Sequence, residues 1–74
     1  MAGNLPSAMT LRVNGEQREL AEATSVAGLL DTLGLAKLPC AVEVNRKLVP
    51  KKDHAGRVLV EGDTVEVVTL VGGG

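Results

Sequence analysis

Four features of this sequence could do chemistry: the lone thiol Cys40, the lone imidazole His54, the cations between Arg46 and Arg57, and the carboxylate that follows VTLVGGG. A reactive thiol needs a base or cation beside it. Cys40 instead opens an alternating apolar run with Val42 and Val44, which reads as an inert, partly buried residue. His54 has no second histidine and no clustered carboxylates to work with, so it reads as an exposed turn residue rather than a base or ligand. No serine–histidine–acid constellation or Walker pattern is present. Gly72, Gly73 and Gly74 cannot cradle a phosphate, because neither a helix nor a lysine follows them. A glycine tail without side chains can, however, thread a narrow channel in a partner. Three residues reach about 10 Å when extended, and the group delivered is the carboxylate of Gly74. Composition alone also fits a frayed end. The tail's position directly after the strongest strand pattern, TVEVVTLV, favours delivery.

The cations Arg46, Lys47, Lys51, Lys52 and Arg57 stand against one acid in their stretch, Asp53, while Glu16, Glu19, Glu22, Glu61, Asp63 and Glu66 lie elsewhere. Such polarity can steer docking, so these five cations are the candidate partner-docking residues; a solvated face is the alternative. The net charge is −1 and no aromatic residue is present. Base stacking and a global basic field are both missing, which argues against nucleic-acid binding. A single cysteine excludes an internal disulfide and any multi-cysteine zinc site. No apolar run approaches a membrane span and no secretory pattern is visible. The expectation is a reduced, soluble, cytoplasmic protein with no membrane partner, no bound metal and no cofactor of its own.

The elements that must position the tail follow from periodicity. Residues 1–8 show no period and read as a disordered extension or a remnant of cloning; residues 9–71 read as the domain, and 72–74 as a flexible glycine tail. Met9, Leu11 and Val13 alternate with polar residues, a half-buried strand. Asn14-Gly15 then signals a tight hairpin, with EQREL returning. Val26, Leu29, Leu30 and Leu33 form one helix stripe, capped by Ser25 or Thr24 and closed at Gly34. Gly28 within it predicts close approach of helix to sheet. CAVEVN is a third strand, Leu48-Val49 a short edge strand before Pro50, RVLV a further short strand, and EGD a tight turn before the last, central strand. The predicted fold is α+β: a mixed sheet of about five strands grasping one main helix, the β-grasp arrangement of ubiquitin-like domains.

Taken in order, MTLRVNGEQREL, TSVAGLLDTLGL, AVEVNRKLVP and EGDTVEVVTLVGGG resemble the ThiS family of sulfur carriers in thiamin biosynthesis, from about Met9 to Gly74. That resemblance implies a carrier, not an enzyme. The Gly74 carboxylate would be adenylated by a ThiF-type activating enzyme that uses ATP and magnesium, with Gly72 and Gly73 threading its active site. A persulfide donor would then displace AMP, and the resulting thiocarboxylate would give its sulfur to a ThiG-type thiazole synthase. Three glycines stand where relatives can end in two. The alternatives are a carrier for molybdopterin synthesis or tRNA thiolation, a ubiquitin-like modifier joined to lysines, and a plain interaction module with an idle tail. The short length and the lack of phenylalanine before the tail favour the thiamin reading.

Overall fold

The computed structural model describes residues 7–70. Strands β1 (Ala8–Val13) and β2 (Glu16–Ala21) form an antiparallel hairpin closed by Asn14 and Gly15 at φ 52° and 84°. Two positive φ values mark a type I′ turn, whose twist matches the strands it joins. Ala8, read from the sequence as part of the extension, is the first residue of β1 and pairs with Ala21. Met9, Leu11 and Val13 are buried, as the alternation predicts, whereas β2 buries only Leu20.

Helix α1 (Val26–Thr32) is too short to persist in water alone. Its ends and one face hold it. The Ser25 hydroxyl accepts from the Gly28 N–H at 3.0 Å. At the other end Gly34, at φ 76°, donates to the Asp31 carbonyl, and Leu35 donates to that of Leu30. This pair of bonds is a Schellman closure. Val26, Leu29 and Leu30 are buried against the sheet. The reason expected for Gly28 is corrected here: a Cβ at Gly28 would meet Thr24 Cγ2 at 3.1 Å. Its smallness serves the capping turn, not a helix–sheet contact.

Strands β3 (Cys40–Val44), β4 (Lys47–Val49) and β5 (Thr64–Thr69) complete a five-stranded sheet of order β2-β1-β5-β3-β4. β5 is central, parallel to β1 and antiparallel to β3. β2 and β3 therefore run in the same direction on either side of the β1–β5 pair, as a helical crossover requires. The fully buried side chains Leu11, Val26, Leu29, Val42, Val44, Leu59 and Val65 fill the space between sheet and helix. Each contributes roughly 1.5–3 kcal/mol on burial.

RVLV is not a sheet strand. After Pro50 a 3-10 turn (Lys51–Asp53) takes the chain away from the β4 edge and towards the start of α1. There Val26 N–H donates to Arg57, Leu59 N–H donates to Thr24, and Ser25 and Val58 form a lone bridge. Alternation across Val58, Leu59 and Val60 is real, but it delivers a single core plug. Leu59 is 1% exposed, while Val58 and Val60 are open to solvent.

Candidate functional site

The site is built around the end of β5, the strand that leads to the glycines. Gly72, Gly73 and Gly74 lie outside the described residues, as does Val71. The start of β5 is fixed by an internal polar lock. Asp63 is buried, and its carboxylate accepts from the Val60 N–H and from Asn45 Nδ2, both at 2.9 Å. Asn45 Oδ1 in turn accepts from the Thr64 N–H, and the Asn45 N–H donates to the Thr64 carbonyl at 2.7 Å. In mid-strand, Asn14 takes over where β1 turns away. Its Oδ1 accepts from the Val67 N–H at 2.7 Å, and its Nδ2 donates to the Val67 carbonyl at 3.2 Å. At the far end the Leu70 N–H donates to the Pro39 carbonyl at 2.8 Å, next to the Cys40–Thr69 pair. The last described residue is thus still tied to the sheet.

Side-chain parity divides β5 between two faces. Val65 and Val67 point into the core; Glu66 and Val68 point outward, followed on the same parity by Leu70. Val68 pairs with Ala41, and Glu66 lies directly opposite Glu43, itself opposite Leu48 on β4. The open face therefore carries aliphatic groups beside the root of the tail, with Val68 58% and Leu70 54% exposed. Two carboxylates lie side by side next to them, a like-charge pair that disfavours the isolated sheet.

Of the predicted docking cations, Lys47 and Arg57 line one groove at the β4 edge, while Lys51 lines separate clefts beside α1. Arg46 sits in the β3–β4 turn, Lys47 in β4, Lys51 and Lys52 in the 3-10 turn, and Arg57 in the loop beyond; all five are exposed. Arg46 follows Asn45 at φ 71° and 53°, a second two-residue turn with positive φ at both positions. Cys40 is half-buried, as its place in the alternation predicts, with its thiol 3.5 Å from the Leu38 carbonyl.

His54 corrects the sequence reading. It is 8% exposed, not an open turn residue, and its Nε2 lies 3.0 Å from the Val49 carbonyl. A carbonyl only accepts, so Nε2 carries the hydrogen. The His54 carbonyl in turn accepts from the Ala27 N–H at 2.9 Å. His54 thus ties β4 to α1. Asp63 was missed as well; an acid in EGD looks like any surface turn until Asn45 is brought beside it. Among the described residues no group of three or more His, Cys, Asp or Glu could hold a metal ion. No described helix is long and apolar enough to cross a membrane.

The sequence model of the ThiS family matches residues 11–74. The crystal structure of the thiamine biosynthesis protein ThiS from Geobacter metallireducens superimposes with a TM-score of 0.75 at 32% identity, covering 89% of this chain and all of that one. Two thiazole synthases, from Paramagnetospirillum magneticum and Magnetococcus marinus, are each 39% identical over 66 residues. Those residues are 89% of this chain but 20% of either synthase, so the chain spans about one fifth of their length. The protein ycf40 of Porphyra purpurea is 32% identical over 66 residues and matched over 93% of its length.

Proposed function

The chain belongs to the ThiS family, and from that premise we propose that it carries sulfur for thiamin biosynthesis as a thiocarboxylate on Gly74. The observation that supports this most is the match of the family over residues 11–74, glycines included, joined to a central strand that ends at Thr69, shortly before them in sequence. The chemistry asks little of the domain beyond presentation. A carboxylate is a weak electrophile, because its charge opposes attack and it lacks a leaving group. An activating enzyme of the ThiF type brings ATP and magnesium. A Gly74 carboxylate oxygen attacks the α-phosphorus, forming an acyl adenylate and releasing pyrophosphate. A persulfide sulfur then attacks the acyl carbon and AMP departs. A thiol reduces the resulting acyl disulfide, leaving the thiocarboxylate on Gly74 and oxidising the thiol to a disulfide.

In this reading the domain is a cosubstrate, not an enzyme. Gly72 and Gly73 act by lacking side chains, which lets the tail enter a channel that would reject any Cβ. The open face at Val68 and Leu70 lies beside the tail root, where a partner receiving the tail must also sit. Thiazole synthase is the proposed acceptor of the sulfur. Two such synthases contain a segment similar to nearly the whole of this chain, and covalent joining raises the effective concentration of two parts that must meet.

Two assays test the reading. ATP–pyrophosphate exchange by the activating enzyme should depend on this protein and vanish when Gly73 and Gly74 are removed. The thiocarboxylate form should be retained by thiazole synthase and not by the molybdopterin synthase large subunit. Retention by the latter alone would move the protein to the molybdopterin pathway. High-mass conjugates to lysines in cells would instead make it a modifier.

A further inference from the structure

A groove of about 550 Å³ runs between β4 and the loop that follows it, and the tail chemistry makes no use of it. Buried Val44 and Val49 line it with Pro50, and exposed Lys47 and Arg57 flank it together with Asp53. β4 is an outer strand of the sheet. The Asn45-Arg46 turn makes Val44 and Lys47 the first pair of the hairpin. In a two-residue turn of this kind that pair bonds directly across. Alternation then leaves the next residue, Leu48, with its N–H and C=O turned away from β3. Charges on an edge strand usually serve to repel other strands. Here the middle residue of the strand is a leucine 65% exposed, which invites pairing rather than blocking it. The segment from Arg46 to Arg57 has five cations and one acid, net +4; the rest of the chain has three cations and eight acids, net −5.

We propose that the β4 edge takes an extended acidic segment of a protein partner as a sixth strand. The added strand bonds to the N–H and C=O of Leu48. Its side chains alternate. Those on the groove side meet Lys47 and Arg57 and are acidic; those on the open side meet the Leu48 side chain and are aliphatic. A second copy of this chain is a poorer occupant, because two basic β4 edges repel each other, and joining an acidic β2 edge to a basic β4 edge would be head-to-tail, without the two-fold symmetry of a closed dimer. Nucleic acid is poorer still, since no aromatic residue is available to stack a base.

The test is a titration of the isotopically labelled full chain with a blocked hexapeptide of alternating valine and glutamate, followed by amide chemical shifts. Lys47, Leu48, Val49 and Arg57 should shift, and the effect should weaken with salt. The same peptide with lysine for glutamate should leave them unmoved. Two variants separate the contributions. Leu48→Pro removes the outward donor at a position where an edge strand tolerates proline. Lys47→Glu with Arg57→Glu reverses the flanking charge. Each should weaken binding by about tenfold or more, with the melting temperature checked alongside. The proposal is overturned by equal binding of the lysine peptide, by shifts centred on Val68 instead, or by unchanged binding in Leu48→Pro. Tighter binding of oligouridine than of the acidic peptide would overturn it too. Sulfur loading of Gly74 is followed separately on the same samples, so its failure would sink the carrier reading and leave the edge proposal standing.

Discussion

Asp63 holds three segments with one side chain: its carboxylate joins the Val60 N–H and the Asn45 amide at the point where β5 begins. Removing it leaves a backbone donor and a side-chain amide without their partner at a part-buried site. Asp63→Ala should lower unfolding free energy by about 2–3 kcal/mol in urea titrations; a loss near zero would show that water substitutes freely. His54→Ala should cost about 1–3 kcal/mol by the same reasoning while sulfur loading of Gly74 stays intact, because its Nε2 serves only the Val49 carbonyl. Neither role was legible in the sequence. Lys51, Lys52 and Asp53 before His54, and Ala55 and Gly56 after it, look like solvent-exposed chain. Burial comes from the fold of the loop onto α1, which no local pattern encodes. The tail lies outside the described residues, and its reading rests on residue type and position alone.

At the scale of elements, what could be read was what is coded locally. Asn14-Gly15, the stripe Val26, Leu29, Leu30, the Ser25 cap and the Gly34 closure all appear where their spacing places them. RVLV failed because a strand needs a neighbour, and the chain had left the sheet at Pro50 to plug the core with Leu59. Leu59→Ala should therefore cost about 2–5 kcal/mol, a core value, despite its place in a loop. The Asn45-Arg46 turn was missed because arginine is an unusual choice for its second position. Held at φ 71°, it bears a steric cost that glycine lacks. Arg46→Gly should raise stability by about 1 kcal/mol, measurable as a shift in the urea midpoint; a decrease would mean that the arginine side chain makes a compensating contact.

Across the whole molecule, the proposed roles fall on different surfaces. The sheet holds its charge at opposite edges, with Glu16 and Glu19 on β2 and Lys47 on β4 beside Arg46. The open face lies between those edges and leads to the tail. Val68→Lys should leave the melting temperature nearly unchanged, since Val68 is 58% exposed and Glu66 lies near it on the same face. It should still slow tail activation about tenfold or more, by placing a charge where an apolar contact forms; full activity would remove that face from the docking account. The central claim is that Gly74 becomes a thiocarboxylate, and intact mass tests it most directly. The protein is incubated with ATP, magnesium, the activating enzyme, a persulfide donor and a thiol. The account predicts a gain equal to exchanging one oxygen for one sulfur, located on the C-terminal peptide and absent when one residue is added after Gly74. An unchanged mass, with an enzyme shown to be active on another carrier, would contradict it.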